Sequence, residues 1–231
     1  MLTFLKLLTL IVVLICQNSL AGGFSVGGGG NVVQCAGQPW TYSFDYVLTK
    51  GMWGPQVKTV PITTISKSLQ RIGNLLEQKI PELSASFVEF SQQIKNEDTS
   101  KRYVWKPARG TLYSIEEDLP NLPRWCLLNG GAIINQVIVR TQSGDERKSK
   151  EQVFLDYDAG IISILERNNL SQLSFLLVHE WLWNYTADPV TNRQLNYFLH
   201  SDLFTNMTAQ QAQVQIRKLG IYDVKVPGSS N

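Results

Sequence analysis

The sequence predicts an α+β fold: a small antiparallel sheet, in meander order, packed against a helical cluster and closed by one disulfide. Three observations lead there. Apolar residues recur at helical spacing over 63–80 and through the C-terminal third. The pair Asn129-Gly130 separates two apolar runs, as a tight hairpin turn requires. Two cysteines, Cys35 and Cys126, remain once the first 21 residues are set aside.

Those 21 residues have the layout of a secretory signal. Lys6 gives a short positive start, residues 7–16 are almost wholly apolar, and Ser19-Leu20-Ala21 places small residues where signal peptidase reads. The expectation is cleavage after Ala21 and delivery to the periplasm or beyond the cell. The apolar run falls short of the roughly 20 residues that cross a bilayer as a helix, which argues against an uncleaved anchor. Ile15 is too bulky a residue before Cys16 for lipoprotein processing. No later stretch approaches spanning length, so no transmembrane segment is expected in the mature chain. With 21 Lys and Arg against 19 Asp and Glu, the chain lacks the basic excess of a nucleic-acid binder, and none is expected as a partner. In an oxidising compartment Cys35 and Cys126 point to one disulfide rather than to metal ligands or a catalytic thiol. Closing so long a loop stabilises by roughly 4–5 kcal/mol in the chain-entropy account.

Residues 22–31 contain six glycines and are expected to form a flexible leader. The formal Gly23-x-Ser25-x-Gly27 match there has no strand-to-helix context and carries no weight. A single domain is expected over 32–226, with a loose tail at 227–231. Residues 31–36 read as a strand, and 41–50 as strand or helix without a decision between them. In 63–80, Ile65, Leu69, Ile72, Leu76 and Ile80 form one apolar stripe. Pro81 ends that helix and opens the next, which Leu83, Phe87 and Ile94 continue. Residues 103–105 read as a strand and 106–125 as loop. Residues 126–128, 131–140 and 153–157 make the meander. Then come helices over 159–168, 171–186, 189–202 and 208–219. The last has Thr208 and Gln211 as a capping box and Gly220 as its stop. Residues 221–226 offer one more strand. The charged run 145–151 and the acidic triplet Glu116, Glu117 and Asp118 read as solvated loop.

Chemistry concentrates in 171–186, SQLSFLLVHEWLWNYT. Apolar residues cover its whole circumference, which marks a buried helix. His179 and Glu180 sit in the middle. A buried carboxylate without a partner costs several kcal/mol, so Glu180 must be paired, protonated or metal-linked. A Val-His-Glu start resembles that of zinc hydrolases, in which a second histidine one turn on completes the grip and the glutamate is general base. Here that position is Trp183. A zinc site would need His179 and His200 plus a third ligand from Asp156, Asp158, Asp188 or Asp202. His200 itself lies on a polar-looking face with Arg193, Asn196 and Tyr197 and reads as a surface histidine. The reading preferred on these grounds is a buried polar pair that fixes helix packing. Six tryptophans offer a weaker idea, a sugar or peptide groove; Trp181 and Trp183 read as core instead.

The glycine run into NVVQC, the later cysteine, and LSFLLVHEWLW followed by NRQLNYFLHSD resemble a group of uncharacterised exported proteins of predatory Gram-negative bacteria. That resemblance implies export, paired cysteines, and His179 and Glu180 as the residues to test first; it implies no activity. The expectation is therefore an exported binding or structural protein without catalysis. The alternative is a metal-dependent hydrolase acting on envelope or prey polymers, with His179 and Glu180 catalytic.

Overall fold

The computed structural model describes residues 24–25, 30–110, 112, 122–127, 131–143 and 152–222. The expected signal peptide, the Asn129-Gly130 turn, the 145–151 run, the acidic triplet and the 227–231 tail lie outside them. So do 223–226, and the described Ile221 and Tyr222 are not in a strand.

The class is α+β, with a four-stranded and a three-stranded sheet among the described residues. The smaller sheet has β2 (Asn31–Cys35) between β3 (Thr41–Ser43) and β5 (Ala132–Gln136), both antiparallel. The larger runs from β1 (Phe24–Ser25) through β6 (Ile138–Ser143) and β7 (Gln152–Tyr157) to β4 (Tyr103–Pro107). Of the expected meander, the return of 153–157 onto 131–140 survives, as β7 antiparallel to β6. The rest of the meander is corrected. Cys126 lies on a helical turn, α4 (Arg124–Leu127), and β5 leaves the hairpin to pair with β2. The β4–β7 pair is parallel. Parallel neighbours need a long crossover, and no local periodicity reports one.

The undecided stretch 41–50 is both things in turn: β3, then α1 (Phe44–Thr49). The leader is not wholly loose. Phe24 and Ser25 pair with Gln142 and Thr141, and Gly30 is buried. Gly30 is admitted because it has no side chain: a Cβ there would lie 2.8 Å from Leu176 Cδ2 and 3.2 Å from Glu180 Oε1.

The helices fall close to expectation. α2 (Ile65–Lys79) starts on Thr64, whose side chain accepts from the Lys67 amide, and α3 (Pro81–Gln92) starts on its proline. Leu69, Ile72, Leu76 and Ile80 are buried, at roughly 1.5–3 kcal/mol for each full side chain. Asp158 caps α5 (Ala159–Asn168), and Asp188 caps α7 (Pro189–His200). α8 (Asp202–Asn206), a single turn too short to show a period, went unforeseen. α9 (Ala209–Lys218) has the Thr208–Gln211 capping box, and Gly220 follows at φ 96°. Between α5 and α7 runs α6 (Leu170–Leu182), buried at every residue from Gln172 to Leu182. It touches α1, α2, α5, α7 and β3, so its whole circumference has neighbours. A separate small core around Val33, Phe44, Val47 and Ile134 encloses the Cys35–Cys126 disulfide.

Candidate functional site

A helix buried along its length must have its last carbonyls satisfied by protein. The end of α6 meets this demand group by group. Asn192 Nδ2 donates to the His179 carbonyl at 3.2 Å, and Arg140 Nη1 to the Glu180 carbonyl at 2.6 Å. Asn184 Nδ2 donates to the Trp181 carbonyl, and the Tyr185 and Thr186 amides to that of Leu182. Arg140, itself buried, also brings a cation to the negative end of the helix dipole.

His179 is clamped on both ring nitrogens. Nδ1 lies 2.7 Å from Asp45 Oδ2, and Trp183 Nε1 donates to Nε2 at 2.9 Å. An indole nitrogen only donates, so Nε2 is the bare acceptor and Nδ1–H points at Asp45. The imidazole is thereby held neutral. The i,i+4 spacing that sets two metal-binding histidines side by side here sets an indole against an imidazole. Asn196 Nδ2 supports the pair, donating to the same Asp45 oxygen at 2.6 Å and to the Phe175 carbonyl at 2.7 Å.

His200 is buried, 1% exposed, which corrects the surface reading. Nδ1 donates to the Asn196 carbonyl at 2.9 Å, so Nε2 accepts from Ser174 Oγ at 2.8 Å. Ser174 in turn bonds Ser68 at 2.7 Å, and the His200 ring stacks on Phe175 at 4.0 Å. Burial pushes the imidazole down to about 3, with Arg71 adding to the effect. The face looked polar because Asn196 and Arg193 are on it; both are buried, and Asn196 is a partner of the network.

Glu180 is fully buried, as expected. Its Oε1 accepts the Gly30 amide at 2.6 Å, and Oε2 meets no donor among the described residues. Burial raises its pKa, against the pull of Arg140 and the Gly30 N–H. A neutral His179 adds no charge to that pull. The acid form is favoured, and what it holds is main chain: the Gly30 carbonyl also accepts the Val137 and Ile138 amides.

The metal constellation of the alternative reading is not assembled among the described residues. Both nitrogens of His179 and of His200 are committed to protein partners. Asp158 and Asp188 cap helices, and Asp202 accepts the Lys58 amide at 3.0 Å. Among the described residues no three His, Cys, Asp or Glu side chains are grouped as a metal site. Sequence reasoning missed Asp45, Asn196, Ser174 and Arg140. Asp45 alone left a trace, as a carboxylate in the apolar run Phe44-Asp45-Tyr46-Val47. No family model, no curated protein and no solved structure matches this chain.

Proposed function

We propose that this is an exported, non-catalytic binding or structural protein in which His179 and Glu180 are architectural. The observation that carries the reading is the closure of His179. A general base or ligand needs a lone pair that can reach a substrate or metal, and Nε2 is held by the Trp183 indole. Glu180 likewise spends its Oε1 on the Gly30 amide and is 0% exposed. Export is supported by the N-terminal pattern and by a disulfide that an oxidising compartment preserves. No helix of the described residues is long and apolar enough to cross a membrane.

The test uses His179→Ala and Glu180→Ala in the mature chain. Both are expected to lower the melting temperature by several degrees and to change no hydrolysis of peptide or peptidoglycan, with or without added zinc. Turnover by the wild-type protein that either variant abolishes would refute the reading. Mass spectrometry of the secreted chain should find Gly22 at its N-terminus; a retained leader would refute export by cleavage.

A further inference from the structure

We propose that a corner of aromatic rings beside the disulfide binds a small quaternary ammonium compound. Tyr42 on β3, Tyr46 on α1 and Trp125 on α4 build it. All three are half-buried and pack against the small core that encloses Cys35–Cys126. The Tyr42 ring lies 6.1 Å from that of Tyr46 at 12°, and 5.9 Å from that of Trp125 at 85°. Tyr46 and Trp125 therefore stand steeply to each other, as the two walls of a corner.

The corner already holds a cation. Lys50 Nζ lies over both walls, 5.5 Å from the Tyr46 centroid and 5.6 Å from that of Trp125. Every other cation found over a ring among the described residues covers a single ring. No carboxylate pairs with Lys50 among those residues, so the negative ring faces are what hold its ammonium. The complement of the corner is thus a positive charge on a group that sheds water readily.

The distances select the kind of ammonium. A lysine ammonium is compact and strongly hydrated, and in contact with a ring it would sit closer than this. A methylated nitrogen cannot approach so far. Its methyl carbons rest about 3.5–4.0 Å from ring atoms, and the C–N bond adds about 1.5 Å. The nitrogen then stands about 5–5.5 Å from each face, close to where Nζ is now. Lys50 is exposed and follows the last residue of α1 on a flexible stem, so it can swing out. Trp125 is held by its neighbour Cys126, which the disulfide fixes. Walls set in advance lower the ordering cost of binding.

The experiment titrates choline with the mature protein and follows the N-methyl proton signal of choline, which aromatic faces shield. A saturable upfield shift is expected. The neutral isostere 3,3-dimethylbutanol, with the same shape and no charge, should bind about tenfold more weakly. Lys50→Ala removes the competitor, leaves the rings, and should tighten choline about twofold to fivefold, the strength of one exposed cation–π contact. Trp125→Leu removes one wall and should weaken binding about tenfold while circular dichroism stays native. If Trp125→Leu fails to fold, Lys50→Ala decides alone. Absence of a saturable shift, equal affinity for the neutral alcohol, or no tightening in Lys50→Ala overturns the proposal. Sedimentation with phosphatidylcholine vesicles separates the two sources of this chemistry: co-sedimentation assigns a lipid headgroup, binding of free choline alone assigns a soluble ammonium, and both uphold the site. None of these results bears on the reading of His179.

Discussion

At Glu180 the folded state favours the neutral acid, and at His200 the neutral base. The two therefore respond to pH in opposite senses. The Glu180 pKa is raised from 4.5, with His179, Arg140 and Asp45 around it. Its stabilisation is complete below about 4.5 and is lost as pH rises through the folded pKa. His200, facing Arg71 and Asp45, is lowered from 6.5 to about 3. Its contribution is complete above 6.5 and is lost as pH falls, at about 1.4 kcal/mol per unit. Between these limits the slopes oppose each other. Thermal melts across pH 3–8 should show Glu180→Gln removing the decline on the alkaline side. His200→Gln should flatten the decline on the acid side. At this scale the sequence revealed the buried carboxyl and concealed its partners. Glu180 stands out in an apolar helix, but the amide it accepts lies 150 residues away in a glycine run, where no side chain marks it. His200 was misplaced because a face of Asn and Arg reads as solvated when it is in fact satisfied internally.

The elements whose residues form one long period were legible: α2, α3, α5, α6, α7 and α9 all fall near their expected spans. The failures are short or non-local. Four residues of α4 hold too little period to separate a turn of helix from a strand. The partner choice of β5 depends on β2, a hundred residues earlier, and no pattern within β5 states it. The capping of α6 is likewise invisible locally, because its cation comes from β6. Arg140→Leu keeps the bulk and removes the donors, leaving the Glu180 carbonyl and Asn184 Oδ1 without this partner. A loss of roughly 3 kcal/mol or more is expected in denaturant unfolding, since buried acceptors left unpaired lose their full solvation. A loss under 1 kcal/mol would show that the helix end is satisfied otherwise.

Across the whole molecule, the disulfide was the most directly legible feature. Setting Cys16 aside with the expected signal segment leaves two cysteines, and the structure joins them, Cys35 to Cys126. It bridges 91 residues, and a loop of that size confines the unfolded chain by about 5 kcal/mol in the entropic account. Cys35→Ser with Cys126→Ser should remove most of that, as should reduction of the wild-type protein. Equal stability with and without reductant would mean that the small core holds itself.

Val137 alone separates β5 from β6, and therefore one sheet from the other. Its amide and that of Ile138 both rest on the Gly30 carbonyl, while the Gly30 amide rests on Glu180. A joint with one residue of slack and a three-way rivet through it transmits load instead of absorbing it. Any force that swings the disulfide-bearing sheet must drag the long buried helix along, so the two halves of this protein share one mechanical fate.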